Sequence, residues 1–258
     1  VCNGCTDATA AVARAFGAAV RVDELPLASK AAALNRGDEL ATVFPRVYVD
    51  ADVELRGRDL LALASALRAS CGPLAGAPAL RADLSGRPWT VRAYYRVWTR
   101  TPYVTEDMIG SGVYALSEAG RARFDRFPSI IADDLFVYRQ FKPGERVRVP
   151  GATFIVRPPA TLRDLIRVIG RRRAGNIELT RAFPSVSDPA ASTRNRAVLG
   201  HMARDPRWWA SLTVFGTVVA LGTAKGRWKA RFGDLEVWER DEHSRRTHRA
   251  GARQHTRK

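Results

Sequence analysis

The sequence predicts an α/β fold: a mixed, mostly parallel sheet flanked by helices, followed by a helical C-terminal extension. Three observations lead there. Short β-branched runs such as Arg46-Val47-Tyr48-Val49 alternate with Ala- and Leu-rich helical stretches, the pattern of a parallel sheet covered by helices. At 258 residues the chain is long enough to bury a core without disulfides or a structural metal. Hydrophobic residues at 46% and charged residues at 26% exclude a fibrous or wholly disordered chain.

Val1 reads as the end of a strand, and Asn3-Gly4 as the turn after it. Thr6 or Asp7 caps a helix running to about Phe16, stopped by Gly17. Ala19–Val22 is a short strand, Ser29 to about Leu40 a helix, Arg46–Val49 a buried strand and Leu60–Ala69 a helix. Gly72–Pro88, rich in Gly, Pro and Ala, reads as a break. Thr90–Arg100 is dense in aromatic and β-branched residues, which predicts an extended strand or hairpin. Val113–Leu116 is a strand, and Glu118–Arg126 and Asp133–Phe141 are helices, the second stopped by Pro143-Gly144. Val147–Val156 is extended, and Leu162–Arg173 is an amphipathic helix ending in three arginines.

Trp208–Ala224 carries no charge over a length near the roughly 17-residue lower limit for a bilayer-spanning helix. Paired tryptophans and Arg204, Arg207, Lys225, Arg227 and Lys229 at its flanks resemble interfacial anchors, so membrane contact and burial in the fold both stand open. The expected division is a domain over 1–180, a helical region over 181–240 with its apolar helix at 208–224, and a basic, disordered tail over 241–258.

Lys and Arg outnumber Asp and Glu by 42 to 26, a net charge of +16 that attracts nucleic acid, anionic lipid or phosphorylated ligands. A basic nucleic-acid-binding module is the alternative from a different class. Aromatic and basic residues do not interleave as a reader motif, so no nucleic-acid partner is expected. Cys2, Cys5 and Cys71 are too few for a disulfide scaffold, and Cys2-Asn3-Gly4-Cys5 lacks the further ligands of a structural zinc site. All the histidines (His201, His243, His248 and His255) fall in the last quarter, so the body of the chain has none for a Ser-His-Asp mechanism. Catalysis there must use carboxylates, Lys, Arg or Tyr.

Asp50-Ala51-Asp52 follows the apolar run Val47-Tyr48-Val49, and in an extended segment residues i and i+2 face one side. Paired carboxylates at the carboxyl end of a parallel strand suit Mg²⁺ or Mn²⁺ shared with phosphate oxygens. Alone, a D-x-D is as readily a solvated turn.

The run Asp50-Ala51-Asp52-Val53-Glu54-Leu55 resembles the D-x-D segment of glycosyltransferase family 2, inverting sugar-nucleotide enzymes of the GT-A, Rossmann-like fold. Other pieces follow in that family's order. Val1-Cys2-Asn3-Gly4-Cys5-Thr6-Asp7 resembles its D-D-G-S-T-D turn, and Lys30–Gly37 its K-x-x-A-L-N-x-G helix. Gly110-Ser111-Gly112-Val113-Tyr114-Ala115-Leu116 is similar to its acceptor-side strand, and Ala132-Asp133-Asp134-Leu135-Phe136 to its E-D motif. Joint order and spacing over Val1–Asn176 are far more specific than any one piece.

The resemblance implies a donor linked to UDP, GDP or dTDP and a glycan or lipid-linked acceptor, in the cytoplasm or on the cytoplasmic face of a membrane. It makes Asp134 the general base and Asp50 and Asp52 the holders of a divalent metal. Asn3, Lys30, Gly112, Asp133 and Arg173 become candidate nucleotide or substrate contacts. Asn3 stands where an Asp normally contacts the nucleotide base, which leaves the nucleotide open. The family's Q-x-x-R-W is absent; Arg171-Arg172-Arg173-Ala174-Gly175-Asn176 takes its region. The family's first strand has no counterpart before Val1, so a truncated, non-catalytic remnant is a further reading.

Overall fold

The structure, a computed structural model, describes residues 1–68, 72–105, 112–184 and 190–232. Cys71, the Gly110-Ser111 step, the expected tail at 241–258 and the histidines within it lie outside the described residues.

The chain opens with β1 (Cys2–Asn3), α1 (Thr9–Arg14) and β2 (Glu24–Leu25), and β1 pairs with β2 in a small parallel ribbon. The helix is shorter than expected, and the strand placed at Ala19–Val22 lies instead at β2, after a 3₁₀ turn over Gly17–Ala19. Next come α2 (Lys30–Leu40), β3 (Arg46–Val49), β4 (Val53–Leu55) and α3 (Gly57–Ala66). These are followed by β5 (Ala75–Ala82), α4 (Trp89–Trp98), α5 (Pro102–Thr105), β6 (Val113–Leu116) and α6 (Glu118–Arg121). The chain then runs through α7 (Asp133–Arg139), β7 (Arg146–Val156), α8 (Leu162–Ala182), α9 (Ala190–Ala203) and α10 (Trp209–Phe232).

The main sheet has the order β3-β6-β5-β7-β4. Only β5–β7 is parallel; β3–β6, β6–β5 and β7–β4 are antiparallel. The expected mostly parallel sheet is therefore corrected to a mixed, mostly antiparallel one. The D-x-D strand β3 is an edge strand with an antiparallel neighbour, not a central parallel one.

The Gly72–Pro88 "break" holds the central strand β5. Ala75, Gly76, Ala77 and Pro78 are all buried, and a Cβ on Gly76 would lie 2.9 Å from Leu67 Cδ1. Small residues here let a helix close onto the sheet, and the register shifts across Pro78, which has no N–H to donate. The Thr90–Arg100 "strand" is the helix α4. Val91, Tyr94, Val97 and Trp98 recur at helical spacing and are buried, while Arg92 and Arg96 face outward. Packing of that stripe against Leu165 and Ile169 of α8 and Val218 of α10 overrides the β propensity of the same residues.

β6 separates two cores by simple alternation. Val113 and Ala115 pack with Leu63, Leu67 and Phe154 on the α3 side. Tyr114 and Leu116 pack with Phe136, Val137 and Leu179 on the other. α8, read from sequence as ending at Arg173, runs to Ala182 and lies along α10. Added Cβ atoms on Gly222 and Gly226 would come 2.5 Å from Ile169 Cγ2 and 2.6 Å from Arg173 Cβ, so these glycines set the close approach. Among the described residues no helix is long and apolar enough to cross a membrane.

Candidate active site

One face of α2 builds the site's floor. Ser29 Oγ accepts from Ala32 N at 3.2 Å and starts the helix; Lys30, Leu34 and Asp38 then fall on one stripe. Asp38, at the far end, accepts from Arg46 Nη1 (2.9 Å), Tyr48 Oη (2.6 Å) and Arg121 Nε (2.5 Å). Asn35 accepts from Phe127 N at 2.9 Å and donates to Phe127 O at 3.0 Å. The Leu34-Asn35 pair thus anchors α2 in the core, and the anchored helix delivers Lys30.

Lys30 Nζ lies 3.0 Å from Asp50 Oδ1 and 3.1 Å from Asp133 Oδ2. A single ammonium therefore joins the end of β3 to the start of α7. Burial alone would pull Lys30 down, but Asp133, Asp50 and Asp134 together hold it above the ordinary lysine range. Asp133, only 3% exposed, is nevertheless pushed up by burial and by Asp50, because Lys30 is shared. Asp134 is half-buried and its Oδ1 accepts from Leu135 N at 2.7 Å. Burial and then the charge of Asp133 lift its carboxyl to about 6. Burial and the neighbouring Asp50 also raise Asp52. The centre holds more carboxylate than Lys30 can neutralise.

Gly112 fixes the loop that carries both D-x-D aspartates. Its carbonyl accepts from Asp50 N at 2.7 Å, its φ is +113°, and an added Cβ would lie 2.5 Å from Val53 Cγ1. Gly112→Ala is expected to destabilise the protein by about 2–3 kcal/mol, read as a shift in urea midpoint at constant m.

Asn3 sits in β1, and Gly4 beside it would meet Ala28 Cβ at 2.5 Å if it carried a Cβ, so this turn packs two residues before Lys30. Asn3 thus lies near the segment that leads into α2, and among the described residues no hydrogen bond joins it to the aspartates. Arg173 lies against Gly226 of α10, and burial with Arg172 nearby lowers its guanidinium. Arg172, passed over in the sequence, is the arginine that feels Asp134. Burial disfavours its charge, and Tyr94, Tyr103, Tyr95 and Asp134 more than compensate. Its guanidinium also lies 5.8 Å from the centre of the Trp98 ring. Only the folding of Tyr94, Tyr95 and Trp98 onto one helix face reveals this, and that helix was read as a strand.

Sequence reasoning also missed Tyr114. It is buried, stacked on Tyr48 at 4.9 Å, and its hydroxyl makes no hydrogen bond among the described residues. Burial and then Asp133, Tyr48, Asp134 and Asp50 raise it well above the usual tyrosine range, so it stays neutral beneath the aspartates.

Among the described residues no group of three or more His, Cys, Asp or Glu side chains is arranged to hold a metal ion. No family model matches the chain, and no curated protein matches it. Among solved structures it is similar to the mannosyltransferase PcManGT from Pyrobaculum calidifontis, determined in complex with GDP-Man and Mn²⁺. The two share 18% identity at a TM-score of 0.48, over 88% of this chain and 75% of that one.

Proposed function

We propose that the protein is an inverting glycosyltransferase of the family 2, GT-A type, moving a sugar from a nucleoside-diphosphate sugar to an acceptor hydroxyl. The observation that carries this reading is the Lys30 bridge. It draws the D-x-D loop and the Asp133-Asp134 step to one locus, as donor binding and base catalysis on one substrate require. Residues 1–180 supply the catalytic body in this reading, and α10 packs onto it against α8 and α4.

Asp134 acts as general base. A carboxylate titrating near 6 is largely ionised at neutral pH yet basic enough to take a proton. As the acceptor oxygen bonds to the anomeric carbon, its proton passes to Asp134. The bond from that carbon to the diphosphate oxygen breaks on the opposite face, and the electron pair leaves with the nucleoside diphosphate. A single displacement of this kind inverts the anomeric centre. Asp50 and Asp52 fit a divalent ion as a two-carboxylate half-site whose remaining ligands are phosphate oxygens, and the unneutralised charge at the centre favours a cation. Mg²⁺ or Mn²⁺ bound there would stabilise the departing diphosphate.

Lys30, Arg172 and Arg173 add positive charge on the donor side, Gly112 holds the loop, Asn3 lies toward the nucleotide base, and Asp133 keeps Lys30 in place. The acceptor class is a glycan or lipid-linked hydroxyl. Release of nucleoside diphosphate from UDP-, GDP- or dTDP-sugars in Mn²⁺ is expected to fall at least about 10²-fold in Asp50→Ala/Asp52→Ala. Unchanged turnover in that variant would contradict the metal assignment.

A further inference from the structure

A charge-free helical stretch such as Trp209–Ala224 belongs inside a protein, yet α10 leaves one side open. Its inner side is buried through Ser211, Val218, Gly222 and Gly226 against α8 and α4. On the outer side Leu221, Trp228 and Phe232, spaced seven and four residues apart, fall on one stripe and are 50%, 64% and 68% exposed. No charged residue occurs from Trp209 to Ala224, so over that length the open side has none of the charge that a water-facing helix carries.

Both ends of this side pair aromatic rings with guanidinium groups. At the start, Trp209 is 58% exposed and Arg204 and Arg207 face outward. Arg96 and Arg100 lie 4.5 and 5.0 Å from the centre of the neighbouring Trp208 ring. At the end, Arg227 and Arg231 are exposed beside Trp228 and Phe232, with Arg231 5.2 Å from the Phe232 ring centre. Neither α9 nor α10 contains an acidic residue; Asp205, between them, accepts from Arg207 N. Trp209 lies about 29 Å before Trp228 along the helix and about 100° round it, at the edge of the same open side.

We propose that this outer side of α10 seats the protein on an anionic phospholipid surface, with the helix lying in the interface plane. Trp228, Phe232 and Leu221 enter the headgroup–acyl boundary with Trp209 at its edge, and the exposed Arg204, Arg207, Arg227 and Arg231 meet lipid phosphates. Cations alone would suit a nucleic acid equally. The aromatic and aliphatic stripe between them selects a bilayer, because a phosphate backbone offers it nothing to bury. α8 packs directly beneath α10 at Gly222 and Gly226, so Arg173 lies about one helix diameter, roughly 10 Å, from the seated face.

The inference is independent of the reaction assigned to the site, because its test contains no nucleotide sugar. The full chain is mixed with phosphatidylcholine vesicles with and without phosphatidylglycerol, at low and high salt, and bound protein is measured by co-sedimentation. Binding is expected with phosphatidylglycerol and at low salt. Trp228→Ala/Phe232→Ala should weaken it at least about tenfold. Arg227→Gln/Arg231→Gln should weaken it about fivefold per arginine, on anionic vesicles only. All four side chains are exposed, so both variants should melt like the parent in circular dichroism. Equal binding by parent and variants would place the contact elsewhere and overturn the proposal. So would absence of vesicle binding, whether accompanied by RNA binding or by self-association in light scattering.

Discussion

Asp134→Asn is expected to lower sugar transfer by about 10²–10⁴-fold while leaving a folded and, above neutral pH, more stable protein. Both effects come from one carboxyl. Burial and Asp133 lift it from the usual 3.8 to about 6, so the fold disfavours its ionised form. A carboxyl raised on folding contributes stability that is complete below its unfolded value and is lost as pH rises through about 6. The neutral amide escapes that loss. It should gain about 1–3 kcal/mol above neutral pH, partial exposure keeping the gain toward the lower figure, and no gain at about pH 4. Urea melts across that range measure it. In the parent, kcat/KM should climb with pH along an acid limb centred near 6. A flat profile there, or a variant that retains transfer, would remove Asp134 from the base's role.

The largest stability effect is expected at Lys30. Replacing it by Met keeps the straight chain but strips the shared cation from Asp50 and from Asp133, whose side chain is 4% exposed. Breaking a buried pair from one side costs about 3–5 kcal/mol, and exposure of Asp50 places this case near the lower figure. Lys30→Met should therefore lower the urea midpoint by the equivalent of about 3 kcal/mol. Adding Asp133→Asn removes the stranded charge and should restore a large part of the loss. A double variant no better than the single would mean that Lys30 acts mainly by packing.

These residues also mark how far the chain could be read without its structure. The Lys30–Leu40 helix, the Arg46–Val49 strand and the Val113–Leu116 strand follow from local signals: a start at Ser29, a β-branched run, and Gly112 ahead of the second strand. Asp50, Asp52, Asp133 and Asp134 were visible as motifs, but their meeting at Lys30 is a tertiary fact. Local chemistry misled where packing decided. α4 carries β-forming residues at helical spacing, and its helix depends on Leu165, Ile169 and Val218 far along the chain. β5 has turn-like composition because close helix–sheet packing tolerates only small side chains there. Strand direction has no local signature, and the mostly parallel sheet was wrong for that reason. Arg172 depends on α4 being a helix and Tyr114 on the pairing of β3 with β6, so neither could be singled out earlier.

In the proposed function the Lys30-linked aspartates form a metal-assisted nucleotide-sugar site. Titration calorimetry of the full chain with UDP-, GDP- and dTDP-sugars, with and without Mn²⁺, tests it most directly. One nucleotide class is expected to bind, only with Mn²⁺, and Asp50→Ala/Asp52→Ala to abolish that binding while Asp134→Asn leaves it intact. Binding that ignores Mn²⁺ and survives loss of both aspartates, or no heat with any of the sugars, would contradict it.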